Sequence, residues 1–425
     1  MPVIRARRLR GALPELRPMM GLSAAEALAR VLSFGYYLLA ARELAPAGFG
    51  TLRYTILLAT VAFGLLQVLT WTLTRELGAA RGDPRAGAAV LGTGLAVAGS
   101  VWAASALACV AAAVAGLTGS ATAAGLVAVL SGSAVFQVYY GVARGVGEMG
   151  RAAGTYIGAS AAQVAGFALL VVITDPSPEA AVAVYSLSSV VPVLVQELAR
   201  PLLFRAGLSA DRAALHAIVA IGGPLVAAQV GFLVWFSADQ VWVEAQLGGR
   251  ELGLYAAAKN LAQLFLVLPS GVAGVLIPRL AELQARDAMR RAQHMVAATT
   301  AGLLAATALL ALVTSLLAAP LLEALYGASY RPAATPFTWL AVGMTAYAGF
   351  AALTSAAIGL GRPGVYTAGI LLAAGLEVAW LLVVDTARSE SAAIAVAGSI
   401  GIALSFVAVL LVRRPHGRGT RHPTG

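Results

Sequence analysis

Ala41-Arg42-Glu43-Leu44-Ala45-Pro46-Ala47-Gly48-Phe49-Gly50-Thr51-Leu52-Arg53-Tyr54 divides two long apolar runs, residues 21–41 and 54–74. Each run has about the 20 residues a helix needs to cross the hydrocarbon core of a bilayer. The joint is short, so the two helices are expected to be antiparallel. Further apolar runs cover residues 87–112, 121–143, 152–174, 179–198, 213–237, 252–277, 295–318, 335–359, 364–384 and 391–412, again with short connections. In lipid every backbone N–H and C=O needs an internal partner, so only helices and closed barrels span. Barrel strands alternate apolar and polar residues over short segments, whereas these runs are apolar on all sides. Charged residues make up 11% of the chain, against about 25% in an ordinary soluble domain. The expectation is an all-α polytopic membrane protein with twelve transmembrane helices.

The basic residues support that count. They cluster in every second gap: Arg5, Arg7, Arg8, Arg10 and Arg17; Arg75, Arg81 and Arg85; Arg144 and Arg151; Arg200, Arg205 and Arg212; Arg279, Arg286, Arg290 and Arg291; Arg362; and the tail after Val412. The intervening gaps hold only Arg42, Arg53, Arg250, Arg331 and Arg388. Lys and Arg bias of short loops marks the cytoplasmic side. Both termini are therefore expected in the cytoplasm of a multi-pass protein of the plasma (inner) membrane. The basic N-terminus precedes a run long enough to span, so it reads as an uncleaved first helix rather than a signal peptide. Residues 413–425 read as a disordered cytoplasmic tail. The net charge of +10 is explained by topology and by contact with membrane lipids, and nucleic acid is not an expected partner.

The chain also repeats itself. Phe49-Gly50-Thr51-Leu52-Arg53-Tyr54 before the second run corresponds to Leu252-Gly253-Leu254-Tyr255 before the eighth. Arg75-Glu76-Leu77 to Asp83 corresponds to Arg279-Leu280-Ala281 to Asp287, at an offset of about 203–204 residues. Six helices is an even number, so the copies share one orientation, a parallel repeat about an axis along the membrane normal. The expected units are an N-terminal lobe, 1–205, holding helices 1–6, and a C-terminal lobe, 206–412, holding helices 7–12.

Three stretches in order resemble the oligosaccharide flippases (Wzx-like polysaccharide-biosynthesis exporters) of the multidrug/oligosaccharidyl-lipid/polysaccharide (MOP) exporter superfamily. These are Ala41 to Gly50; Pro224-Leu225, Ala238-Asp239, Leu252 to Ala258 and Pro278-Arg279-Leu280; and Leu325-Tyr326-Gly327 with Tyr330. The resemblance implies a MOP/MATE-like fold. It also implies alternating-access transport of a lipid-linked oligosaccharide or polysaccharide precursor on a polyprenyl-pyrophosphate carrier, from the cytoplasmic to the outer leaflet. A polysaccharide polymerase or glycosyltransferases are the implied partners. The alternative is a cation-coupled multidrug exporter of the same superfamily.

Ionisable groups inside spans are functional candidates by default. Glu26 and Arg30, four apart on helix 1, either pair or leave Arg30 to attract an anionic headgroup while Glu26 tunes it or takes a proton. Lys259 either snorkels to the interface or meets a pyrophosphate between the lobes. Glu377, in mid-helix 11, is the second proton candidate. Asp239, placed just beyond helix 7, reads as structural charge, paired with Lys259 or Arg53. Gln67, Gln229 and Asn260 are candidate cargo contacts, although interhelical hydrogen bonding is an equal use for such amides. Gly222, Gly223 and Pro224 suggest a hinge, because Pro removes a backbone donor inside a helix. Cys109 is the sole cysteine, and His216, His294, His416 and His422 have no sequence-near catalytic or metal partner. Neither an enzyme nor a cofactor or metal centre is expected.

Overall fold

The computed structural model describes residues 2–80, 82–116, 119–203, 209–286 and 288–412, with side chains described from Leu22 onward apart from a few helical positions. Asp287, the 205/206 lobe boundary and the tail 413–425 lie outside the described residues. Those residues are helical almost throughout: α1 (Pro2–Ala79), α2 (Pro84–Val114), α3 (Ser120–Val146), α4 (Met149–Ile173), α5 (Pro178–Ala199), α6 (Arg212–Leu247), α7 (Gly249–Gln263), α8 (Val267–Ala285), α9 (Met289–Leu316), α10 (Ala318–Tyr326), α11 (Ala334–Gly359), α12 (Gly364–Val383) and α13 (Ser389–Val412). Among the described residues, ten segments from Pro84–Val114 to Ser389–Val412 are long and apolar enough to cross a membrane. The two runs on either side of Ala45 in α1 complete the twelve.

Ala45 breaks α1 with φ 54° and ψ 173°. A residue with a Cβ pays about 1–3 kcal/mol for such sparsely populated positive-φ backbone. Pro46 makes this the natural place to break, because a residue before Pro is disfavoured in the helical region. Pro46 itself suits a helix start, where no N–H partner is needed. The two halves run antiparallel, as their neighbours show. In the first half Glu26 meets Tyr140 near the end of α3, and Tyr36 meets the Ala181 carbonyl and the Phe167 ring at the other side. In the second half Thr55 lies against Gly125 at the start of α3 and Leu77 against Gly145 at its end.

The structure adds detail to three of the expected spans. α6 runs to Leu247, well past residue 237, so Asp239 lies inside the helix rather than beyond it. Gly222, Gly223 and residue 224 belong to the same unbroken helix, and the Pro224 side chain is outside the described residues. The eighth span is divided by a 3-10 turn at Leu264–Leu266 into α7 and α8. The short α10, followed by a 3-10 segment at Ala328–Ala333, fills what reads in sequence as a loop.

The two lobes meet most closely on the arginine-poor face. A Cβ on Gly50 would lie 1.8 Å from the Gly249 carbonyl oxygen, and a Cβ on Gly253 would lie 1.8 Å from the Pro46 carbonyl oxygen. Both correspondences, Pro46 with Gly249 and Gly50 with Gly253, have the same offset of 203 residues. Residue i touching the equivalent of j, while j touches the equivalent of i, is the signature of a two-fold contact. Only glycine lets two helix backbones approach so closely. Around this crossing Arg42 donates from Nε and Nη2 to the Leu325 and Ala324 carbonyls at 2.5 and 2.6 Å, where α10 ends and a cation offsets the helix dipole. Tyr330 donates to the Ala41 carbonyl at 2.9 Å.

One apolar core spans both lobes on this face, from Tyr36, Phe49 and Leu52 to Tyr255, Tyr330 and Phe337. Toward the arginine-rich face the second half of α1 still packs on α6, through Leu66, Leu69, Ala214 and Ile218. Among the described residues no apolar cluster joins the first half of α1 to α8 there. Leu22 belongs to a cluster with α3 and α4, and Leu276 and Leu280 to one with α9 and α11. These separate clusters make the arginine-rich side, between the first half of α1 and α8, the place where a cleft between the lobes would open.

Gly253→Ala forces a methyl group into the Pro46 carbonyl. The expected result is a lower thermal unfolding midpoint in detergent, from overpacking of about 1–3 kcal/mol; an unchanged midpoint would remove the crossing as the point that holds the lobes together.

Candidate functional site

Arg30 and Glu26 do not pair with each other among the described ion pairs. Tyr140 donates a short hydrogen bond to Glu26 Oε1, and the Tyr140 ring packs against Phe136 and Tyr156. Arg30 is exposed, and its charge reaches the hydroxyls of both Tyr156 on α4 and Tyr347 on α11. It enters no ion pair among the described residues and lies within electrostatic reach of both lobes, and the Glu26 carboxylate likewise reaches Tyr156. This separation follows from the helix: Glu26 and Arg30 share a side, but Tyr140 holds the carboxylate against the N-terminal lobe.

Lys259 has the opposite surroundings. It is 1% exposed, and its ammonium group bonds both Asp239 carboxylate oxygens at 2.7 and 2.5 Å and the Phe236 carbonyl at 2.8 Å. Asp239 also accepts from the Tyr255 hydroxyl at 2.7 Å and from the backbone N–H of Gln240 at 2.8 Å. The extension of α6 to Leu247 places Asp239 within reach of α7, and this makes the pair. Lys259 neither snorkels nor faces the cleft in this conformation. Glu377 on α12 is fully buried, and among the described residues its carboxylate accepts no side-chain hydrogen bond and meets only a backbone approach from Asp239. It lies within electrostatic reach of Asp239 and Lys259. Two acids and one base are thus enclosed in the C-terminal lobe, away from solvent.

Arg53 does not join Asp239. It is buried, with its guanidinium 4.6 Å from the centre of the Tyr37 ring, a cation–π contact. Gln67 accepts from Gln137 Nε2 at 3.1 Å, and Gln137 accepts from Thr70 at 2.8 Å, so Gln67 acts as an interhelical link inside the N-terminal lobe. Gln229 and Asn260 are buried in the C-terminal lobe, and Asn260 Nδ2 has no partner. Trp235 stacks on Tyr347 at 5.0 Å, with ring planes 6° apart, inside the core. Of the charged residues singled out in the sequence, the structure brings together Lys259, Asp239 and Glu377 and leaves Arg30 in no ion pair among the described residues.

Gln137 and Gln163, intramembrane amides that read in sequence as interhelical links or lining of a sugar path, come together with Ser33, Tyr156 and Ser160 in the wall of a polar pocket in the N-terminal lobe. Ser33 lies 3.0 Å from Ser160 Oγ and donates to Gln163 Oε1 at 3.1 Å. Isolated serines among alanines and glycines carry no sequence signal. Among the described residues no group of three His, Cys, Asp or Glu is placed to hold a metal ion.

Breaking a buried ion pair by removing one partner costs about 3–5 kcal/mol, while replacing both with apolar groups is often neutral. Asp239→Leu is therefore expected to destabilise strongly, and Asp239→Leu with Lys259→Met to recover most of the loss. Denaturant unfolding of the purified variants measures both; a double variant as unstable as the single one would refute the pairing as the source of the effect.

Comparison with known proteins places this geometry. The chain matches solved structures across nearly its whole length, at low identity. An inward-facing multidrug resistance MATE family transporter of the MOP superfamily is 14% identical, with a TM-score of 0.73 over 90% of this chain and 93% of that one. A MOP superfamily transporter from Pyrococcus furiosus, described as having a binding pocket of reverse polarity that suggests a different function, is 13% identical, with a TM-score of 0.66 over 92% and 94%. A Vibrio cholerae MATE transporter variant is 16% identical, with a TM-score of 0.65 over 92% and 95%. Comparison with curated proteins finds no match. A family model described as polysaccharide biosynthesis protein matches residues 38–335, from the joint after the first helix to the start of α11. With twelve spans in two repeated lobes and a model match over most of its length, the chain belongs to the polysaccharide biosynthesis protein family, within the MOP fold of membrane transporters.

Proposed function

We propose that the protein is a flippase that carries a polyprenyl-pyrophosphate-linked oligosaccharide from the cytoplasmic to the outer leaflet by alternating access. The arginine-rich face is cytoplasmic in this reading, with both termini on that side of the plasma membrane. The observation that carries it is Arg30, an exposed intramembrane cation in no ion pair among the described residues and within electrostatic reach of tyrosines of both lobes. The nearby carboxylate, Glu26, is held by Tyr140, and the acids of the C-terminal lobe are shut away with Lys259. A cleft whose free charge is positive suits an anionic headgroup. Bringing a pyrophosphate or a sugar into lipid without compensation carries a large desolvation cost, and lowering that barrier is the whole of the catalysis required.

The mechanism follows from the contacts. The Gly50 and Gly253 crossing and the Arg42 and Tyr330 bonds close the outer face, so cargo enters from the cytoplasmic side while its lipid tail stays in the bilayer. Release outside requires those contacts to break and the first half of α1 to close on α8. Glu377 carries the coupling proton: an ionised carboxylate without a partner inside the bilayer is costly, and a proton removes the cost. The multidrug exporter reading shares the fold but needs a free carboxylate in the cleft to attract a cationic drug.

Two results test the proposal. Deleting the gene is expected to leave lipid-linked glycans accumulating in the cytoplasmic leaflet; unchanged glycans with raised drug sensitivity would favour the exporter. In proteoliposomes, Arg30→Ala is expected to slow headgroup translocation about 10- to 100-fold, since a charge-assisted hydrogen bond contributes about 1.5–3 kcal/mol. Full activity of that variant would remove the cationic cleft from the mechanism.

A further inference from the structure

The pocket beside Arg30 has a volume of about 160 Å³. That is roughly half the lower end of the range for drug-sized ligands, about 300 Å³, and room for a single ring or about five waters at about 30 Å³ each. It lies where both halves of α1 meet α3, α4 and α5, inside the N-terminal lobe. Among the described residues its polar lining consists of hydroxyls and amides, without acid or base, and Phe136, Tyr156 and Tyr185 supply aromatic surface.

That lining selects by chemistry. Without a carboxylate it does not attract an organic cation, and without a cation it does not neutralise a phosphate. A neutral sugar ring fits it on both counts: donors and acceptors around the rim meet Ser and Gln, and the C–H faces meet aromatic rings. The internal hydrogen bonds leave capacity for such a guest. Gln163 uses Oε1 to accept from Ser33, which leaves its Nε2 donors, and serine hydroxyls retain acceptor sites. Ser33 sits three residues after Arg30, on the same side of the helix. Tyr156 lines the pocket and lies within the field of Arg30. Glu26 is also within electrostatic reach of Tyr156, and Arg30 thus lies one helical turn from the pocket wall at Ser33.

We infer that the two form one divided site, in which Arg30 holds the phosphate and the pocket of Ser33, Tyr156, Ser160 and Gln163 holds the first sugar. The inference rests on the flippase reading and sharpens it. A site that hydrogen-bonds substrate hydroxyls rejects a ligand that lacks them, because its own polar groups are then left unpaired. The pocket makes the protein discriminate loaded carrier from bare carrier, so that empty polyprenyl pyrophosphate is not carried wastefully.

Binding to the purified full chain in detergent tests this, with two probes: polyprenyl pyrophosphate bearing one N-acetylhexosamine, and bare polyprenyl pyrophosphate. Wild type is expected to prefer the sugar-bearing probe by about tenfold or more. Gln163→Leu with Ser160→Ala is expected to abolish that preference while leaving the bare carrier's affinity unchanged, and Tyr156→Phe to reduce it partly without disturbing the fold. Arg30→Ala weakens both probes equally. Equal affinity of wild type for the two probes, or equal loss of both in the pocket variants, overturns the inference and leaves the flippase reading standing. Absence of binding for either probe in wild type overturns both. Stabilisation of wild type by sodium chloride alone, lost in the pocket variants and accompanied by no sugar preference, would make the pocket an ion site instead.

Discussion

The close backbone crossing of Gly50 and Gly253 is the contact on which the rest of this architecture depends. Lipid offers no hydrophobic drive for two helices to associate, so close packing through small residues must hold them. Here the packing occurs at one face, at equivalent positions of the two repeats. A two-fold contact at one end of two otherwise separable lobes is a pivot: closing that end lets the other end part. The place for a cleft, between the first half of α1 and α8, is the consequence.

Charge is distributed by the same logic. Every ionised group inside the bilayer needs a partner, a proton or water. Lys259 has Asp239, with Tyr255 and the Phe236 carbonyl completing its surroundings. Glu26 has Tyr140. Arg30 is exposed, in no ion pair among the described residues. Arg53 has only the face of Tyr37 and its position near the rim of the lobe contact. Glu377, whose two oxygens accept no side-chain hydrogen bond among the described residues, is a group for which a proton answers the need. Among the intramembrane groups described, the C-terminal lobe encloses an ion pair with a second acid beside it, while the N-terminal lobe gathers hydroxyls and amides into a pocket and keeps Glu26 and Arg53 against tyrosines.

Much of this was legible in the chain. Apolar runs long enough to span mark the helices, because the bilayer thickness sets their length. The repeat was visible as matched glycines, and the structure shows why those positions match: Gly50 and Gly253 touch across the lobe contact. Helix ends were less legible. Residues 238–247 carry Asp239, Gln240, Glu244 and Gln246 and do not read as lipid-facing helix, yet α6 continues through them with Asp239, Gln240 and Val243 buried against protein. That continuation hides the Asp239 and Lys259 partnership from sequence reading. Likewise the four-residue spacing of Glu26 and Arg30 points to a pair, but spacing along one helix cannot report a competing donor from another, and Tyr140 is 114 residues away.

By itself, then, the sequence determined the spanning segments, their alternation and the two-lobe repeat, because each is a local consequence of hydrophobicity and loop charge. The tertiary structure decided which charges are masked, which face of the lobe contact is closed, and where scattered serines and glutamines become a pocket. Those depend on distances between helices far apart in the chain. Side-chain desolvation and pairing are settled only when those helices are packed together.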